Sequence, residues 1–184
     1  MRRGVQDGAD ATAETCTHPR PQAEVEALWG LLAAGRVDQV TSDHVGWRPE
    51  RKAAADVFDA RAGAPGVELL LPLLWSEGVV RRHLPVGRLV AALYKTPARR
   101  FGLWPRKGAI AVDADADFAV VKTGTAGRVD ERTLESDAGW SPYHGIETRA
   151  RVTLTILRGR EVARNGRWTA GSLSGRVIAP ERPR

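Results

Sequence analysis

Asp43 and His44 are the residues of this chain best placed to do chemistry. They close the stretch Thr41-Ser42-Asp43-His44. A carboxylate beside an imidazole can take a proton from water, hand it on, or ligate a metal ion. The flanking sequence shows what positions them. Upstream, Val25, Leu28, Trp29 and Leu32 recur at helical spacing across 23–34 and Gly35 supplies a stop signal, predicting an amphipathic helix. The short, β-branched run 36–41 then predicts a strand with the Asp-His pair at its carboxyl end. Helix, strand and terminal carboxylate form the repeating unit of a (β/α)₈ barrel, whose chemistry sits at the carboxyl ends of the strands. The plainer reading is an Asp capping the turn after a strand.

Helical patterns continue to Gly108. They run over 67–79, over 85–95 with Pro85 placed to open a helix, and through a short turn across 97–101. Beyond Gly108 the period changes to two. Residues 109–112 and 118–121 read as short strands joined by the acidic link 113–117, and Val152, Leu154 and Ile156 alternate in a third. Arg158-Gly159 and Asn165-Gly166 are turn signals, the second favouring a type I′ hairpin. The chain therefore divides into 1–108, the helical part; 109–170, the strand-rich part; and 171–184, an irregular tail. It has no internal repeat.

Composition narrows the partners. The net charge of +6, from 28 basic and 22 acidic residues among 184, is spread as isolated pairs such as Arg81-Arg82 and Arg99-Arg100. No aromatic ladder lies between them, so they read as solvated faces and no nucleic-acid partner is expected. The longest apolar run, 67–75, is interrupted by Glu68 and Pro72 and is too short to cross a bilayer, so no membrane partner is expected either. With no signal peptide in the sequence, the expected location is cytoplasmic. Cys16 is the single cysteine, which excludes an intrachain disulfide and a CxxC zinc site.

Thr41-Ser42-Asp43-His44 also resembles the S-D-H that ends the eighth barrel strand of the cyclic amidohydrolases, the group of hydantoinases, dihydropyrimidinases, allantoinases and dihydroorotases. Further motifs follow in the family's order. Ala64-Pro65-Gly66-Val67-Glu68 is similar to G-x-P-G-x-E, Leu71-Pro72-Leu73-Leu74-Trp75-Ser76-Glu77-Gly78-Val79 to L-P-L-L-x-S-E-G-V, and Pro97-Ala98-Arg99-Arg100-Phe101-Gly102-Leu103 to N-P-A-x-x-F-G-L. Arg106-Lys107-Gly108 with Ala114-Asp115-Ala116-Asp117, then Ser141-Pro142-Tyr143, then Ile156-Leu157-Arg158-Gly159-Arg160 match the C-terminal signature. The ordered set covers 12–168.

The resemblance implies an α/β fold: the C-terminal end of a metal-dependent hydrolase TIM (β/α)₈ barrel, followed by strands of a small flanking β-sandwich, with the N-terminal strands of both missing from the sequence. On the same ground 1–108 is the barrel end and 109–170 the sandwich part. It also implies a reaction, in which two metals, usually zinc, share a hydroxide that attacks a small cyclic amide while the strand-eight Asp binds one metal and carries the proton to the leaving nitrogen. Asp43 matches that catalytic, metal-binding position. His44 matches the residue after it, with a hydrogen-bonding role around the metal ligand. Ala62 and Gly63 fall where backbone lines the substrate, Ala62 at a position that hydantoinases often fill with Asn. His18, in Glu14-Thr15-Cys16-Thr17-His18, resembles a segment that lies beside the site without supplying a ligand. The region of Ser141-Pro142-Tyr143 often contributes to oligomer contacts in the family.

The departures bear on activity. A dinuclear centre of this kind needs an H-x-H, a bridging carboxylated Lys and two further His, because two cations need several donors. This sequence has no H-x-H, and Lys52, Lys95, Lys107 and Lys122 all follow Asp43. A substrate loop that the family inserts between the counterparts of His18 and Pro19 is absent, Thr96 stands for the Asn of N-P-A, and Asp113 stands for a Gly. Two readings result. The first is the C-terminal piece of a zinc-dependent cyclic amidohydrolase, inactive alone and completed by an N-terminal fragment. It would cleave the C–N bond of a hydantoin or dihydropyrimidine ring, with an allantoin-like ring next in rank. The second is a non-catalytic amidohydrolase-like scaffold or oligomerisation module, working as a homo-oligomer.

Overall fold

The computed structural model describes residues 20–53, 59, 61–171 and 175–180. Cys16, His18 and the junction at Pro19 lie outside them. Helix α1 (Gln22–Ala33) forms where the spacing predicts it. Gly35, at a φ of 71°, ends it: its N–H donates to the Leu32 carbonyl at 3.0 Å and that of Arg36 to Leu31 at 2.9 Å, the paired bonds of a Schellman cap. The buried stripe is narrower than predicted. Leu32 is buried and Val25 and Trp29 half-buried, but Leu28 is 52% exposed, because α1 leans on the helical layer with its Trp29–Leu32 edge alone.

Residues 36–42 do not form the predicted strand. They run without regular structure; Val40 N–H reaches the Ala92 carbonyl at 3.2 Å, and the nearest strand-like pairing is a single parallel bridge between His44 and Ala64. A strand exists through its neighbours' hydrogen bonds, and among the described residues no strand lies beside this segment.

After the short helix α2 (Pro49–Lys52) come two helical rods. The first opens as a 3₁₀ turn (Val67–Leu69), continues as α3 (Leu70–Leu74) and widens into a π turn (Trp75–Val80). The second is α4 (Val86–Val90), a π turn (Ala91–Lys95) and α5 (Thr96–Arg100), so the helices predicted over 85–95 and 97–101 are continuous. Pro97 accounts for the widening. Its nitrogen cannot donate and its ring crowds the carbonyl one turn back, which the broader turn moves aside. Leu32, Leu84, Leu89 and Ala92 form the core between α1 and the rods, flanked by Trp29, Val37 and Val40.

The period-two region is a four-stranded antiparallel meander in the order β1-β2-β3-β4: β1 (Phe118–Arg128), β2 (Glu147–Leu157), β3 (Arg160–Arg164) and β4 (Arg167–Trp168). Both turn signals are realised. Arg158 and Gly159 have φ of 49° and 76°, Asn165 and Gly166 of 50° and 80°, the left-handed pair a type I′ turn requires. The strand predicted over 109–112 is absent: Ile110 and Val112 are 89% and 92% exposed. Charge folds that segment into a loop instead. Lys107 pairs with Asp115 at 2.8 Å and with Asp117, and Arg106 with Asp115 at 3.1 Å. Buried Ser76 joins sheet to rod, its hydroxyl donating to the Pro72 carbonyl at 2.6 Å and accepting the Arg149 N–H at 2.7 Å.

Candidate active-site segment

Asp43 is exposed and holds a φ of 47°, a left-handed conformation that Asp tolerates better than most residues. His44 beside it turns to the following loop. Its Nδ1 accepts the N–H of Gly66 at 3.0 Å and of Val67 at 3.2 Å, two of the donors a helix start leaves unpaired. With Nδ1 an acceptor, the neutral ring carries its hydrogen on Nε2. His44 thus braces the loop backbone. Val45 N–H donates to the Ala64 carbonyl at 3.0 Å.

Gly63 is buried at a φ of 114°, and a Cβ there would lie 2.5 Å from that of Val45. Only glycine gives both the conformation and the approach. The structure therefore brings Asp43, His44 and Val45 alongside 62–66, with Ala62 half-buried in the same loop.

A segment from beyond β1 closes over this loop. The Glu135 N–H donates to the Glu68 carboxylate at 2.9 Å, Arg48 Nε to the Asp137 carbonyl at 3.1 Å, and Trp140 Nε1 to the Trp47 carbonyl at 2.8 Å. Ser141 is buried, its hydroxyl accepting the Tyr143 N–H at 3.2 Å, and the Tyr143 ring packs against Gly66. Burial pushes the Tyr143 phenol above its ordinary pKa. The sequence pattern does not single out Lys52, Trp47 or Trp140. Their types recur harmlessly on surfaces, and nothing local marks them as neighbours.

Among the described residues no three His, Cys, Asp or Glu side chains gather to hold a metal ion, and no buried side-chain polar atom lacks a partner. These donors alone do not fit a dinuclear centre. Asp43 offers one carboxylate, and His44 has already committed Nδ1 to the backbone.

No protein-family profile matches the chain. It is 40% identical over 196 residues to the allantoinase of Rubrobacter xylanophilus, covering 95% of this chain and 43% of that protein. To the L-hydantoinase of Paenarthrobacter aurescens it is 36% identical over 141 residues, covering 76% and 31% respectively. In fold it is similar to the D-hydantoinase (dihydropyrimidinase) of a Thermus species, with a TM-score of 0.83, 30% identity, and coverage of 86% of this chain and 35% of that one. The helical rods and the sheet are thus part of the fold built on an amidohydrolase TIM barrel. The chain belongs, as a C-terminal portion, to the cyclic amidohydrolases, the family of allantoinases, hydantoinases and dihydropyrimidinases. It spans less than half the length of these relatives.

Proposed function

We propose that this chain supplies the closing part of a cyclic amidohydrolase that opens an allantoin-like, hydantoin or dihydropyrimidine ring at its C–N amide bond. Residues up to 108 belong to the barrel and 109–170 to the appended strands. In this reading Asp43 accepts the proton of the attacking water and delivers it to the ring nitrogen as the C–N bond breaks. The Ala62–Gly63 backbone lines the ring, and His44 keeps that loop against the segment that carries Asp43. The family is metal-dependent. Since the described donors do not make a metal site, Asp43 would be one ligand of a zinc centre whose other donors come from sequence outside this chain, and the chain is inactive alone.

The observation that carries the reading is the alignment of nearly the whole chain, 95%, with an allantoinase at 40% identity, together with an exposed Asp43 beside the Gly63 loop. The higher identity to an allantoinase than to the hydantoinase relative ranks the allantoin ring first.

The test is reconstruction. Residues 12–184 are grafted in place of the matching segment of an intact allantoinase or hydantoinase, with the substrate loop restored between His18 and Pro19, and the product is assayed on allantoin, hydantoin and dihydrouracil. Asp43→Asn in an active graft should lower kcat by roughly 10³-fold or more, since an amide cannot take the proton. A rate within a few-fold of the parent would remove Asp43 from the chemistry. The lack of a donor cluster among the described residues also leaves room for a non-catalytic scaffold, and a graft that folds but opens no ring supports that reading.

A further inference from the structure

A lysine is almost never wholly buried unless its charge is paired or its donors are met. Lys52, the last residue of α2, is 0% exposed. Its Nζ donates to the carbonyl of Arg61 at 2.9 Å and to that of Gly63 at 2.7 Å, and it lies 5.6 Å from the centroid of the Trp140 ring. These contacts belong to a closed circuit. Trp140 donates its indole N–H to the Trp47 carbonyl at 2.8 Å, and the Arg61 guanidinium lies 4.8 Å from the centroid of the Trp47 ring.

A side chain of the same volume would fill the space, but it would not orient two carbonyls. Carbonyls on alternate residues aimed at one ammonium fix the intervening backbone, because each trans peptide turns its N–H opposite its C=O. The amides of Ala62 and Ala64 are therefore directed away from Lys52. In that pose Gly63 packs on Val45 and the Ala64 carbonyl takes the Val45 N–H.

We infer that Lys52 is a positioning residue for the substrate: by holding the carbonyls of Arg61 and Gly63 it presets the Ala62–Gly63 backbone against which the cyclic amide lies. It acts on binding rather than on the chemical step, and this rests on the reading of 62–63 as the substrate wall. Preset backbone spares the cost of ordering it when the ring arrives.

The test has two readouts. In the full chain, Lys52→Met should speed amide exchange at Val45, Gly66 and Val67 by about tenfold or more while the amides of β1 and β2 keep their protection, as local opening predicts. Mass spectrometry resolves these amides even in a self-associated sample. In the active graft, Lys52→Met should raise KM about tenfold and leave kcat within about threefold, the split expected of lost uniform binding. Unchanged exchange at the three amides overturns the clamp, and an unmoved KM overturns its role toward substrate.

If Lys52→Met unfolds the sheet as well, Lys52→Cys in a Cys16→Ser background takes its place, alkylated while unfolded with 2-bromoethylamine to rebuild the ammonium. Restored protection supports the clamp; protection that stays lost overturns it. A graft that retains Lys52 and opens no ring counts against the proposed function, and amide exchange alone then decides whether Lys52 clamps the loop.

Discussion

Val45, two residues after Asp43, packs directly on the bare backbone of Gly63. Gly63→Ala would force a Cβ into Val45 and place alanine at a φ of 114°. It should destabilise the chain by roughly 2–4 kcal/mol, measured as a shift in urea midpoint at constant slope. Val45→Ala in the same background should recover only a small part of that loss, since it removes the contacts with the two γ-carbons at 2.6 and 3.0 Å but leaves the Cβ contact at 2.5 Å and the backbone strain. A second residue-scale prediction concerns acid. Arg82 meets Glu26 with two hydrogen bonds, at 2.6 and 2.9 Å, and lies 4.9 Å from the Trp29 ring centroid. Those bonds hold the Glu26 carboxyl at about 2, against an ordinary 4.5. A depressed pKa stabilises the fold above pH 4.5, and that contribution is lost as the pH falls towards 2. Unfolding followed at pH 5, 3 and 2 should show the loss, and Arg82→Met should flatten it. At this scale Asp43 was legible as a candidate because its neighbours in sequence form a motif. Lys52 was not, because nothing in its neighbours forms a motif and Trp140, whose ring centroid lies 5.6 Å from its Nζ, is far along the chain.

Elements were legible where local chemistry suffices. The end of α1 at Gly35 and both type I′ turns follow from glycine, asparagine and the left-handed backbone they allow. Strands over 36–41 and 109–112 do not form, because alternation says which face could be buried and nothing about whether a partner is present. The rods show the converse. Pro97 reads as a break in the sequence, yet the chain absorbs it in a π turn, because Leu89 and Ala92 on the same rod are locked in the core. Leu89 is 1% exposed, so Leu89→Ala should cost about 2–5 kcal/mol in chemical denaturation. A cost below about 1 kcal/mol would mean that this layer is loosely packed.

The whole molecule leaves apolar surface open. Val86, Val90, Tyr94 and Phe101 are all exposed along the second rod, as is Leu28 on α1. A patch of this kind in a chain homologous to part of a larger barrel predicts self-association. Light scattering on the purified chain should give a mass above 20.0 kDa, and Val90→Glu should lower it; a monodisperse monomer would contradict the prediction. That helices give way to strands beyond Gly108 was readable from the change of period, but the way the two are fastened was not, since the bonds between them, that of the Ser76 hydroxyl among them, join residues far apart in sequence. Ser76 ties β2 to the first rod, and that same rod begins at the Gly66 and Val67 amides that His44 accepts. For anyone recombining segments between related enzymes, this makes 44–157 a single cassette. A crossover placed between the rods and the sheet, tempting because the sequence changes character there, cuts the line that runs from His44 through the first rod to the meander, whereas a junction ahead of Thr41 leaves it whole.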